Sequence, residues 1–322
     1  MAWTPHTELT EQELHVPELM GRVERLHLRT HRLVNTALSG GYRSSFRGSG
    51  VEFEDVRPYM PGDDVRRIDW NVTARMQEPY VRETIADREL ETWVVVDRSP
   101  SLDFGTAACE KRDLAVAATA AIGFLTARTG NRFGVLASGG AGIDTLPARG
   151  GRAHLLGVLH RLVTAPTGHD LGGAGGVPPA AADLGRALRR VSGLARRRGL
   201  VVVVSDFLGD PGWQHPLRLL AARHEALAVE IIDPRELELP DVGVLDLIDA
   251  ETGERREVRT SAGLRARYAD AARAQRAEIA AAIRGAGTDH LILRTDRDWL
   301  LDLVRFVTLR RQRVETLPRP LP

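Results

Sequence analysis

The chain has 322 residues, 43% of them hydrophobic, and a formal net charge of +1. That is enough for one large core or two modest ones, and charge so near balance gives no bulk attraction to nucleic acid or to an anionic membrane. Cys109 is the single cysteine, which excludes an intrachain disulfide and a cysteine metal cluster and points to a reducing compartment.

Of the 44 lysines and arginines only Lys111 is a lysine. Genome base composition is the simplest account, and a preference for planar bidentate donors at an interface is the other. The first twenty residues are polar and acidic with no apolar centre, so no signal peptide is read there. The longest apolar stretch, Leu114 to Leu125, is too short to span a bilayer, which needs about 20 residues. A soluble cytoplasmic protein is the expectation.

Residues 1–42 read as a helical segment, with Leu14, Leu19, Val23, Leu26 and Leu28 at mixed three- and four-residue spacings. Residues 43–90 form a region with little helical period, read as turns and short strands. Within it Arg57, Asp63, Asp64, Arg66, Asp69 and Arg75 alternate in sign, with Tyr59 and Trp70 between them. Two readings stand: a docking surface of arginines and aromatics, or a buried salt-bridge network pinning this region to the rest.

From residue 91 buried strands and helices alternate. Trp93-Val94-Val95-Val96 ends at Asp97, a helix runs from about Glu110 to Arg128, and strands follow at Phe133–Leu136 and Ile143–Leu146. Helices are predicted over His154–Val163 and Asp183–Arg197, either side of a Gly/Pro-rich loop. The strand Leu200–Val204 stops at Ser205-Asp206, and a helix near 215–223 leads to the strand Leu227–Ile232. A hairpin (Val244–Ile248 and Arg256–Thr260), a long helix over Leu264–Arg284, a strand at His290–Leu293 and a helix over Asp298–Arg311 complete the domain at 91–312. Residues 313–322 read as a disordered tail. The pattern predicts an α/β fold with a mostly parallel sheet and helices on both faces.

In such open sheets the functional crevice lies beyond the carboxyl ends of the strands, and two strands here end in aspartate, Asp97 and Asp206. The string Asp97-Arg98-Ser99-Pro100-Ser101 is D-x-S-x-S directly after a buried strand. A carboxylate and two hydroxyls are hard donors suited to Mg2+ or another small divalent ion. Asp206 would add a carboxylate hydrogen-bonded to a metal-bound water. The plainer reading is that Asp97 and Ser101 cap the following turn.

Residues 40–310 resemble the family called domain of unknown function 58. The resemblance is carried by Gly48-Ser49-Gly50-Val51-Glu52-Phe53, by Arg57 to Asp64, by Arg66 to Arg75 and by Glu78-Pro79-Tyr80-Val81. Asp97 to Ser101, Ser205-Asp206-Phe207, Asp233-Pro234-Arg235-Glu236 and Asp249 to Glu254 continue it. The resemblance implies a von Willebrand A-like, Rossmann-type domain with a small β region and a metal-ion-dependent adhesion site. It also implies work with a MoxR-type AAA+ ATPase in assembling or remodelling a client protein. Two departures bear on the metal. Ala182 stands where the family pattern expects a threonine ligand, and Arg98 could repel an ion or neutralise Asp97.

No nucleotide-binding P-loop and no G-x-S-x-G nucleophile elbow occur, so neither ATP binding nor serine hydrolysis is expected. His154 and His160 fall on different helix faces. The expectation is a non-enzymatic binding module with a metal site at Asp97, Ser99, Ser101 and Asp206. Two alternatives stand beside it: a metal-dependent hydrolase with Asp103 or Asp206 as base, and a scaffold that binds through residues 43–88 with its metal site decayed.

Overall fold

The computed structural model describes residues 55–61, 63–76, 78–83, 90–126, 131–139, 142–165, 183–248 and 255–316. The expected N-terminal helix, the Gly/Pro-rich loop, Ala182 and the tail beyond Thr316 lie outside them.

Six strands form the main sheet: β3 (Glu91–Asp97), β4 (Arg132–Gly139), β5 (Gly142–Arg149), β6 (Leu200–Ser205), β7 (Glu225–Ile232) and β10 (Asp289–Arg294). Their spatial order is β10-β7-β6-β3-β4-β5. All neighbours pair in parallel except β4 and β5, an antiparallel hairpin at the edge. The sheet is thus mostly parallel, as expected, with one antiparallel edge. Too few residues separate β4 from β5 for a crossover helix, so the chain can only fold back on itself.

The central strands β3 and β6 are buried along their whole length because helices cover both faces. Along them alternate side chains enter two separate cores, as the two-residue period of a strand requires. Val94, Val96, Val202 and Val204 pack with α2 (Lys111–Thr126), α3 (Arg152–Thr164) and α7 (Trp299–Thr316). Trp93, Val95, Val201 and Val203 pack with α4 (Leu184–Leu194), α5 (Gln214–Ala221) and α6 (Ala262–Gly285). α4 stops at Leu194, three residues before the expected end at Arg197, while α7 continues to Thr316, past the expected domain boundary at 312. The hairpin β8 (Val244–Ile248) with β9 (Arg255–Arg259) stands as its own two-stranded sheet.

In the preceding region β1 (Asp55–Pro58) pairs antiparallel with β2 (Tyr80–Glu83). Between them lies α1 (Trp70–Met76), a short helix where turns and strands were expected. Its start has a simple cause. Asp69 accepts hydrogen bonds from the amides of Asn71 and Val72 at 2.9 and 3.2 Å, which satisfies donors left open by the first helical turn.

Local capping contributes to the order of this region. Asp63 accepts from the Met60 amide and Asp64 from the Arg66 amide, so both carboxylates cap turns in their own neighbourhood. Asp69 is buried and Tyr59 half-buried, whereas Asp64 and Arg75 are exposed and Trp70 is 71% exposed. Capping of this kind follows from the short Asp side chain, which reaches amides two or three residues away. The Arg57 side chain lies outside the described set.

Candidate functional site at the strand ends

β3 and β6 are adjacent, and their register aligns Val96 with Val204. The next residues, Asp97 and Ser205, therefore emerge side by side, with Asp206 one position further on. The Ser205 hydroxyl donates to Asp97 Oδ2 at 2.6 Å. The predicted meeting of two strand-end aspartates is present.

The loop after β3 folds back on Asp97. The Ser99 amide donates to Asp97 Oδ1 at 2.8 Å, and Ser99 Oγ lies 2.9 Å from Ser101 Oγ. Asp97 thus caps the turn, as the plainer reading has it, and the same turn gathers both hydroxyls beside the carboxylate. Close packing holds the loop from the other side. A Cβ at Gly139 would collide with the Arg98 carbonyl, so only glycine permits that approach. Burial lowers the Arg98 guanidinium from its usual value, and the charges that bear on it are those of Arg112, Asp103 and Asp144.

Asp97 and Asp206 are both buried but titrate in opposite directions. Burial first, and then the Asp206 charge, raise the Asp97 carboxyl from 3.8 to about 6, against the hydrogen bonds from Ser205 and Ser99. Burial also pushes Asp206 upward. There the Lys111 ammonium, with hydrogen bonds from Lys111, Ser101 and the Leu208 amide, overcomes it and holds the carboxyl below its usual range.

Lys111, the first residue of α2, is 1% exposed. Its Nζ lies 2.8 Å from Asp206 Oδ2 and also pairs with Glu236 Oε1. Arg276 on α6 continues the chain of charges. It contacts Glu236 Oε2 and Glu230 Oε1, each at 2.9 Å, and the Asp206 carbonyl at 2.8 Å. His290 Nε2 lies 2.7 Å from Glu230 Oε2 at the far end.

Sequence reasoning did not find Lys111, Glu236, Arg276, Glu230 or His290. One signal was available, that a single lysine had survived in a chain otherwise using arginine. Asp233 also carries structure here, accepting from the Thr106 amide and hydroxyl and from the Thr295 hydroxyl, which ties the loop after β3 to the end of β7.

The donors are of the kind that suits a small hard cation, a carboxylate with hydroxyls. Ser99 Oγ and Ser101 Oγ are hydrogen-bonded to each other at 2.9 Å, a separation that two adjacent ligands on a magnesium octahedron with bonds of about 2.0–2.1 Å would also have. Among the described residues no cation pairs with Asp97. A divalent ion there would relieve the burial and repulsion that raise its pKa. Three or more His, Cys, Asp or Glu side chains placed to hold a metal are not found among the described residues, so the donor set is one carboxylate with hydroxyls.

Solved structures similar to this chain include the conserved hypothetical protein BatB from Bacteroides thetaiotaomicron (TM-score 0.43, 11% identity, covering 69% of this chain and 99% of that one). The SpRpn10 VWA domain is another (TM-score 0.36, 13% identity, covering 67% and 94%). These likenesses are loose, and the α/β fold rests on the sheet order itself. In sequence, the Mycobacterium tuberculosis (strain ATCC 25618 / H37Rv) uncharacterized protein Rv1480 is 52% identical over 296 residues, covering 92% of this chain and 91% of that protein. The Mycobacterium avium uncharacterized protein MAV169 is 47% identical over 167 residues, covering 52% and 94%. The model of one family matches residues 55–278, spanning the small β region, the strand-end aspartates and Arg276 together, and the chain belongs to that family, described as protein of unknown function DUF58.

Proposed function

We propose that the rim formed by Asp97, Ser99 and Ser101 is a recognition site for another protein, completed by a divalent cation such as Mg2+. The observation that carries this reading is a buried carboxylate, raised to about 6 and facing Asp206, beside two hydroxyls at ligand spacing. A bound ion would supply Lewis-acid attraction for a partner's acidic side chain. The residues of this chain would hold that ion, exclude water and leave a face open. In this reading the site is a partly degenerate metal-ion-dependent adhesion site.

The hydrolase alternative gains nothing from the geometry. Its two candidate bases are both engaged, Asp206 with Lys111 at 2.8 Å and Asp103 with Arg112 at 3.2 Å. A base must be free to take a proton at the reacting atom.

A second contact surface is supported by exposure. Trp70 (71%), Met60 (66%), Val65 (60%) and Met76 (57%) are all open in the small β region, and exposed large apolar groups of this kind mark interaction sites. The docking role read for Tyr59, Asp63, Asp64, Trp70 and Arg75, with Arg57 beside them in sequence, falls to this surface, while the buried Asp69 serves it by capping the start of α1. The family resemblance suggests the partners: a MoxR-type AAA+ ATPase and a client protein undergoing assembly or remodelling.

The test is capture from native extract with the full chain, in Mg2+ and in chelator, using wild type and Asp97→Ala. Recovery of an AAA+ ATPase or client that is lost in chelator and in Asp97→Ala supports the reading. Equal recovery in all four conditions removes the cation from it.

A further inference from the structure

Resting on the reading of Asp97, Ser99 and Ser101 as a divalent-cation site, we propose that Lys111 is a captive cation built into that site. Its ammonium occupies Asp206, withholds that carboxylate from a bound ion, and so sets the site's cation affinity and residual charge. Lys111 is a positioning residue in this scheme and touches no ligand itself.

The placement of Lys111 goes against two ordinary preferences at once. It is 1% exposed, and burial disfavours an ammonium. It also opens α2, where the positive end of the helix dipole disfavours a cation. Two carboxylates, Asp206 and Glu236, outweigh both. The residue type follows from the space. A compact ammonium with three donors bridges two carboxylate oxygens from a helix start, whereas a guanidinium needs a planar fork of partners. The chain uses arginine where such a fork exists, at Arg276 between Glu230, Glu236 and the Asp206 carbonyl.

Asp206 is then fully engaged. Oδ2 meets Lys111 at 2.8 Å and Oδ1 accepts from the Leu208 amide at 3.1 Å. Among the described residues of this rim, Asp97 is left as the carboxylate without a paired cation. A divalent ion held that way keeps net positive charge for an incoming anionic side chain, at the cost of weaker binding by the protein. One continuous segment, residues 97–111, carries both the oxygen donors and the ammonium, so cation affinity and loop position are coupled.

The experiment measures Mg2+ and Mn2+ binding alone, by calorimetry and by Mn2+ electron paramagnetic resonance, on the full chain. Lys111→Met leaves two buried carboxylates and can fail to fold. The informative variant is therefore Lys111→Gln with Glu236→Gln, which removes one charge of each sign, with folding checked by circular dichroism. The expected result is cation binding at least about tenfold tighter than wild type, because freeing Asp206 adds a second carboxylate charge at the site, and abolished by adding Asp97→Ala. A structural role alone would weaken binding. A folded double variant with unchanged, weaker or absent binding overturns the proposal. If wild type binds no cation but the double variant acquires Asp97-dependent binding, the proposal stands and the cation-dependent reading of the wild-type rim falls. If Asp97→Ala abolishes binding by wild type while the double variant matches wild type, the reading stands and the proposal falls.

Discussion

Lys111 Nζ and Asp206 Oδ2 lie 2.8 Å apart with both side chains at most 2% exposed, and this ion pair joins the start of α2 to the end of β6. Around it the rim divides into two halves. On one side the carboxylates are neutralised by Lys111 and Arg276. On the other, Asp97 has hydroxyl and amide partners but no paired cation among the described residues. That asymmetry supports a cation at Asp97, and it yields the following expectations.

Lys111→Ala removes the cation and leaves Asp206 and Glu236 facing each other in the interior. Breaking a buried pair costs about 3–5 kcal/mol, a large share of a typical domain's stability. Urea unfolding at pH 7 should show this loss. A variant within about 0.5 kcal/mol of wild type would mean that water reaches Asp206.

Asp97 makes stability depend on pH in a definite direction. Its folded-state pKa of about 6 lies above the ordinary 3.8, so the folded state binds the proton more tightly than the unfolded one. The contribution is fully present below about pH 4 and is lost as pH rises through 6, to a total of about 3 kcal/mol for a shift of this size. Asp97→Asn cannot ionise. In chelator it should be more stable than wild type at pH 7.5, and the difference should shrink as pH falls from 6 to 4. Thermal melts across that range check it. A constant difference between the two proteins would contradict the shift.

Arg276 bridges Glu230, Glu236 and the Asp206 carbonyl through its fork. Arg276→Ala should cost about 3 kcal/mol by taking the guanidinium from the buried Glu230, which then keeps His290. Arg276→Lys should recover less than half of that, because one compact ammonium cannot reproduce a planar fork. Guanidinium chloride titration of the two variants measures the ratio.

Trp70 is exposed on α1, so Trp70→Ala should change stability by no more than about 0.5 kcal/mol. The same substitution should reduce partner capture if the small β region is a docking surface. Unfolding and pull-down on one preparation separate the two effects.

Gly139→Ala places a methyl group against the Arg98 carbonyl and must displace the loop that carries Ser99 and Ser101. We expect a loss of about 1–3 kcal/mol, as for overpacking, together with weaker Mg2+ binding. Gly142→Ala, where an added Cβ meets nothing, controls for the hairpin, since its strained φ acts on the turn alone.

The alternation of apolar runs and amphipathic stretches was enough to read each strand and helix of the main sheet in order, because burial on both faces leaves a continuous valine-rich signature. α1 was missed because seven residues carry too little helical period to outweigh the surrounding glycine and proline. Its only local mark was Asp69 as a cap.

By itself the sequence determined the α/β architecture, the two strand-end aspartates and the D-x-S-x-S loop, since all three follow from local patterns of hydrophobicity and turn chemistry. Only the tertiary structure decided what Asp206 does. Lys111, Glu236, Arg276, Glu230 and His290 come from five separate elements or loops, and their meeting is fixed by strand register and helix packing over more than one hundred residues of chain. Electrostatic energy depends on distances in space, and no spacing along the chain encodes those distances.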